Sequence, residues 1–161
     1  MKRLALIAAA IMALTAPAMS QNAGEIARVQ AGSSCAGCNL FQADLAYRDL
    51  PNVNLSGSRL RQANLSLSTM NGANFSRADL SVADLFGGRF TGASFAHANL
   101  QNANLVGAYF GSADFSGADL TGAILSGAEM ERVRGLTQAQ LDTACGDQET
   151  RLPADLRIPV C

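Results

Sequence analysis

From residue 40 onward the chain places a large apolar residue at every fifth position. The series runs Leu40, Leu45, Leu50, Leu55, Leu60, Leu65, Met70, Phe75, Leu80, Leu85, Phe90, Phe95, Leu100, Leu105, Phe110, Phe115, Leu120, Leu125 and Met130, nineteen positions without a gap. The residue two before each centre is Ala at thirteen of the nineteen, and the residue directly before is Asn or Asp at twelve. Helices repeat their apolar positions at 3.6 residues and strands at two, so a strict five fits neither. It also excludes a heptad coiled coil. Such a period predicts a chain that turns a corner every five residues and points one large and one small side chain inward on each side. Four sides then close a square coil of about twenty residues.

Sorting the centres by four supports this square. Two sides are all Leu: 40, 60, 80, 100, 120 and 45, 65, 85, 105, 125. The third reads Leu50, Met70, Phe90, Phe110, Met130, and the fourth Leu55, Phe75, Phe95, Phe115. Every Phe at a centre thus falls on the last two sides, as stacking at a spacing of twenty requires. Arg48, Val53, Ser58, Ser68 and Gly88 break the pattern at the small inward slot. A buried unpaired Arg is costly, so a bulge is expected near Arg48, or a pairing with Asp49 or Glu25.

The repeated unit, seen in Ala43-Asp44-Leu45, Ala63-Asn64-Leu65, Ala83-Asp84-Leu85, Ala103-Asn104-Leu105 and Ala118-Asp119-Leu120, resembles the A-(D/N)-L-x-x motif of the pentapeptide-repeat family. The resemblance covers roughly residues 36–132. It implies an all-β solenoid, a right-handed quadrilateral β-helix, here of between four and five coils. Coils stacked about 4.8 Å apart make a rod about 20–24 Å long.

Both ends of such a rod expose strand edges and need caps. Residues 21–35 form the N-terminal cap, with a short helix over 22–30, Asn22 as its cap, Glu25 three residues on, and Ile26 and Val29 facing the core. Residues 133–161 form the C-terminal cap. Thr137 and Gln140 have the spacing of a capping box for a short helix, Leu136 and Leu141 that of a hydrophobic staple, and Gly146 suits the stop. This tail also resembles a C-terminal extension of some exported family members.

Ahead of the repeats, Lys2 and Arg3 precede an unbroken apolar run from Leu4 to Leu14, followed by Ala16-Pro17-Ala18. This is the pattern of a secretory signal peptide over residues 1–20, cleaved after Ala18 or Ser20, and the run is too short to span a bilayer. The expected location is periplasmic or secreted, with no membrane span after cleavage. Removing Lys2 and Arg3 leaves ten Arg against thirteen acidic residues, which does not suit a nucleic-acid partner.

All four cysteines, Cys35, Cys38, Cys145 and Cys161, lie in the exported part, and an even count in an oxidising compartment reads first as two disulfides. A disulfide needs Cα atoms within about 7 Å, and the two pairs belong to opposite ends of the rod. The expected pairs are Cys35–Cys38 and Cys145–Cys161. The Cys35-Ala36-Gly37-Cys38 motif leaves a redox role open, although no thioredoxin-like strand–helix context surrounds it. Zinc would need about four ligands.

Nothing else suggests catalysis, a metal or a cofactor. His97 stands in an outward slot, and no Ser or Cys is held beside it by the repeat. The Asp residues before the centres (Asp44, Asp79, Asp84, Asp114, Asp119) exchange freely with Asn, as expected of side chains that bond nearby backbone in turns. The outward slots of the second side hold Tyr47, Leu67, Phe86, Val106 and Ile124, with Val82 at the adjoining corner. Contiguous exposed apolar patches mark interaction sites, whereas scattered single ones are ordinary surface. The stripe is the candidate surface for an unknown protein partner or for self-association. The sequence therefore predicts a non-catalytic exported interaction or structural module. The alternatives are a thiol–disulfide role for Cys35 and Cys38, and protection of DNA gyrase by DNA mimicry, which the resemblance implies for some family members. Arg59, Arg61, Arg77 and Arg89 interrupt the acidic rows that mimicry would need.

Overall fold

The computed structural model describes residues 20–161; the expected signal peptide lies outside the described residues apart from Ser20. The backbone forms a stack of square coils whose register is twenty residues. Sixteen parallel bridges link residues twenty apart, from Asn39–Arg59 through to Asp114–Arg134, one for every pentapeptide. Each side is too short for an extended strand and contributes a single bridged residue, the one before its centre.

The backbone hydrogen bonds of the repeat explain the sequence pattern. Leu45 N–H donates to Asn64 C=O (2.7 Å) and Tyr47 N–H to Ser66 C=O (3.0 Å), while Asn64 N–H returns to Ala43 C=O (2.9 Å). A fourth N–H closes the corner: Ala43 donates to Leu40 C=O at 3.0 Å. The fifth, one residue after the centre, donates to the Asn or Asp side chain before the centre, as Ser76 does to Asn74 Oδ1 (2.9 Å) and Ser116 to Asp114 Oδ1 (2.9 Å). Buried backbone donors need partners, so the Asn/Asp preference is local backbone bonding. It also explains why the two residues interchange, since either supplies the same acceptor.

The residue two after each centre from Leu40 to Leu125 has positive φ, as does Gly37 ahead of the first, ten of these nineteen not glycine; Arg132, two after Met130, leaves the pattern. A third turn residue in the left-handed region is the mark of a type II turn. Val82, at φ 59°, is β-branched and carries the greatest strain of this kind.

The centres fill the interior. Leu40, Leu45, Leu60, Leu65, Phe75, Phe90, Phe95, Leu100, Phe110 and Phe115 are all fully buried. Phe75, Phe95 and Phe115 stack at 5.0 and 5.1 Å, Phe90 on Phe110 at 5.4 Å, and the two columns meet edge to face at 5.2–6.1 Å. This is the offset and T-shaped geometry that aromatic quadrupoles favour.

The pattern breaks have different fates. Ser58 and Ser68 are buried and donate their hydroxyls to Cys35 C=O (2.8 Å) and Leu65 C=O (2.7 Å). Gly88 makes room for Phe90, whose ring atoms would lie 2.6 Å from any added Cβ. Arg48 is exposed, so no buried charge needs a partner. Neither expected pairing forms; Glu25 accepts instead from Asn39 N–H at 2.6 Å. Nor does the ladder bulge, because Thr69 N–H still reaches Arg48 C=O at 2.8 Å. What changes is the corner. Among the described residues, the turns into Arg48 and Val53 are the two, between Ala43 and Val133, without the closing hydrogen bond.

The N-terminal cap is α1, Ala23–Gln30, with Asn22 Oδ1 accepting from Glu25 N–H. It lays fully buried Val29 and part-buried Ile26 over the first coil. Gln30 reaches Asp44 C=O (2.8 Å), and Cys35 and Gly37 already make ladder bonds to Asn54 and Ser56. At the other end is α2, Gln138–Leu141, with Thr137 and Gln140 forming a reciprocal capping box. The Gln140 amide also donates to Phe115 C=O (2.9 Å) and Ala118 C=O (2.8 Å), which ties the helix to the last coil. Beyond α2 the chain resumes pairing, irregularly, through Ile124–Cys145, Glu129–Arg151 and Gly146–Val160.

Candidate interaction surface

The second side, centred on Leu45, Leu65, Leu85, Leu105 and Leu125, gathers the outward apolar residues. Tyr47 is 77% exposed, Leu67 and Val82 44%, Phe86 45% and Ile124 42%. Among the described residues, Val160 at the C-terminal end is the one other exposed large apolar side chain. Val106 is half-buried and contributes less than its slot suggested. Tyr47 and Leu67 occupy one column, Phe86 and Val106 the next, and Ile124 the bridged column beyond, so the stripe crosses the side diagonally. Leu67 lies along the stack over Gly87, where its Cδ2 would be 2.7 Å from an added Cβ. Glycine there lets the leucine flatten onto the rod. With coils about 4.8 Å apart, the stripe is roughly 19 Å long and about one side wide.

Polar order surrounds it. Asn104 Nδ2 donates to Asp84 Oδ1 (2.9 Å) and Asn99 Nδ2 to Asp79 Oδ1 (3.2 Å) along the bridged columns. Asp114 and Asp119 hold their carboxyls below the ordinary value: Asp114 chiefly through the hydrogen bond from the Ser116 hydroxyl (2.6 Å), Asp119 through that from Gln101 (2.6 Å), then Thr121. These carboxylates are engaged in local turn bonds.

His97 is exposed and lies over Gly117, while the nearby Ser116 hydroxyl is given to Asp114, so no nucleophile–base pair forms there. A surface notch of about 250 Å³ lies between Tyr109, Gly111, Glu129, Glu131 and Arg132. Sequence reading missed it; its signal was an aromatic residue in a slot otherwise held mainly by Asn and Asp, two residues before a glycine without positive φ. Arg89 covers the Tyr109 ring at 5.5 Å, and Arg151 pairs with Glu131 at 3.5 Å. Among the described residues no cluster of three or more His, Cys, Asp or Glu could hold a metal, and no helix is long and apolar enough to cross a membrane.

Disulfides join Cys35 to Cys38 and Cys145 to Cys161, with Cα separations of 5.6 and 4.8 Å. Cys35 and Cys38 are buried, at 3% and 9% exposure, inside the first ladder contacts. That burial removes the access a redox-active C-x-x-C requires.

A twenty-residue register, four inward-pointing centres per coil and a hydrogen-bonded corner every five residues define a quadrilateral β-solenoid. The chain matches the pentapeptide-repeat family in eight copies, over residues 38–77, 49–87 and 89–127, and it belongs to that family, whose members form right-handed quadrilateral β-helices. Among solved structures it is similar to a pentapeptide repeat protein of the Arabidopsis thaliana thylakoid lumen, with 34% identity over 63% of this chain and 71% of that one (TM-score 0.41). It is also similar to the pentapeptide repeat protein Rfr23 of the cyanobacterium Cyanothece 51142, with 26% identity over 80% and 97% of the two chains (TM-score 0.41). QnrB1, a plasmid-mediated fluoroquinolone resistance protein, shares 16% identity over 71% and 69% (TM-score 0.45), a likeness of fold alone. No curated protein matches the chain.

Proposed function

We propose that this protein is an exported, non-catalytic interaction module that presents the apolar stripe on its second side to a protein partner. The observation that carries this reading is the concentration of exposure. Tyr47, Leu67, Val82, Phe86 and Ile124 share one side and its corner, while the other outward slots are filled mainly by Ser, Thr, Asn, Gln, Gly and charges. Repeats stacked on a rigid rod hold such side chains at fixed spacing, so little conformational freedom is lost on docking. The signal-like N-terminus and two disulfides favour an oxidising compartment outside the cytoplasm. Export also separates the chain from gyrase, and the 16% identity to QnrB1 supports no shared target.

The test uses the exported, tagged protein beside a Leu67→Ser/Phe86→Ser variant. Both residues are exposed, so the variant should keep its thermal midpoint within a few degrees, since surface changes fall within about ±0.5 kcal/mol. Loss of self-association or of specifically co-purifying partners in the variant supports the stripe. An unchanged profile reduces it to ordinary surface.

A further inference from the structure

The two disulfides sit in opposite environments. Cys35 and Cys38 are buried beneath the N-terminal cap. Cys161 is exposed and Cys145 half-buried, and they close a segment of sequence separation 16. That segment folds back over the C-terminal end of the rod. Its last strand pairs with Gly146 alone: Gly146 N–H donates to Pro159 C=O (2.9 Å) and Cys161 N–H to Gly146 C=O (3.0 Å). Ile158 packs against Gly146, with methyl carbons 3.1 and 3.2 Å from where a Cβ would stand. Farther back the tail is held by the Gln138 side chain, bonded to Arg157 N–H (3.0 Å) and C=O (2.9 Å). Cys145 itself remains in the ladder, with bonds to Ala123 and Leu125. One side of the disulfide is therefore anchored to the stack, and the other is an exposed residue held by a single bridge of two backbone bonds and a 3.9 Å contact of its sulfur with the Ser126 hydroxyl.

We infer that Cys145–Cys161 is a site of thiol–disulfide exchange for a dithiol reductant, and that its reduction opens the C-terminal cap while the buried N-terminal disulfide stays intact. This inference does not depend on the stripe. A thiolate of the dithiol attacks the exposed Cys161 sulfur, and the Cys145 sulfur leaves as a thiolate and takes up a proton. The second thiol of the reductant, as its thiolate, then attacks its own partner sulfur and expels Cys161. The protein gains two thiols and the dithiol becomes a disulfide, with two electrons transferred. Access to the attacked sulfur governs such exchange. The expelled Cys161 leaves with its short strand, and the edge at Gly146 loses its cover. An uncovered edge is a template for another strand.

The test treats the folded mature chain with dithiothreitol, traps thiols by alkylation, and reads each cysteine by mass spectrometry. Cys145 and Cys161 should label at least about tenfold faster than Cys35 and Cys38. Hydrogen exchange should rise at the Gly146 and Cys161 amides while the Leu105 amide, bonded to Ile124 C=O, stays protected. A Cys161→Ser chain should show the same raised exchange at Gly146 without reductant. Four cysteines reacting together, reaction only on global unfolding, or unchanged Gly146 protection in the reduced protein or in C161S would each overturn the inference.

Discussion

The first coil and the coils beneath it use one five-residue frame but close their corners differently. From Leu100 to Met130 the small inward slot is always Ala, and every turn carries its closing hydrogen bond. In the first coil the slots hold Arg48 and Val53, and those two corners stay unclosed although the ladder beneath them is intact. The ladder therefore persists where a corner opens; the two open corners carry Arg and Val in the slot, although Val133, part-exposed at the far end, still closes on Met130 C=O at 3.2 Å. The first coil accommodates Arg48 because that side chain turns to solvent at the end of the rod, while Val53 stays buried. A middle coil is packed on both sides and has no such outlet.

The largest effect should come from the shared core. Phe95→Ala removes a ring stacked on Phe75 and Phe115 and edge-on to Phe90 and Phe110, and should cost about 3–5 kcal/mol in denaturant unfolding. Ala103→Val, which carries the first coil's residue type into a middle coil, should cost about 1–3 kcal/mol through overpacking and should expose the Ala103 amide to exchange. If it costs nothing, slot size does not control the corner. Arg48→Ala is the reverse experiment. It should close the Leu45 corner and gain about 0.5–1.5 kcal/mol, the net worth of one hydrogen bond.

Acid should act on the turns rather than on the core. Asp114 and Asp119 are held below the ordinary carboxyl value by hydrogen bonds from Ser116, and from Gln101 and Thr121. A lowered folded-state value means that the folded chain binds fewer protons than the unfolded one. The stabilisation is therefore complete above the unfolded carboxyl value of 3.8 and is lost as pH falls through the lower folded value. Asp119→Asn, which keeps an acceptor for the Thr121 amide, should flatten the loss of thermal midpoint on acidification. An unchanged slope would assign the acid sensitivity elsewhere. Both residues are only partly buried, at the surface of the turns, so this should be the smallest of the effects.

Much of the architecture was legible because a period of five admits few solutions, and the segregation of Phe75, Phe90, Phe95, Phe110 and Phe115 to two sides disclosed the register. The capping box at Thr137 and Gln140 was legible from spacing alone. What escaped the sequence was side-chain direction. Arg48 could not be seen to turn outward, because its slot in every other coil points inward. Glu25 was a candidate partner for Arg48 but caps the Asn39 amide, and Gln140 serves both its helix and the Phe115 and Ala118 carbonyls. Long flexible side chains choose among several acceptors, and only the folded end of the rod decides between them. On the stripe, slot alone overstated Val106, because neighbouring coils bury part of it.

Residues twenty apart in sequence are nearest neighbours between coils. Paired cysteines test this most directly. Ser76→Cys with Ala96→Cys occupies equivalent slots one coil apart, where backbones lie about 4.8 Å from each other and a disulfide fits. Ser76→Cys with Thr91→Cys is fifteen apart and lies on a different side. Mild oxidation should link the first pair, without lowering the thermal midpoint, and leave the second unlinked. Ready linkage of 76 to 91, or failure of 76 to 96 in a folded chain, would contradict the twenty-residue coil.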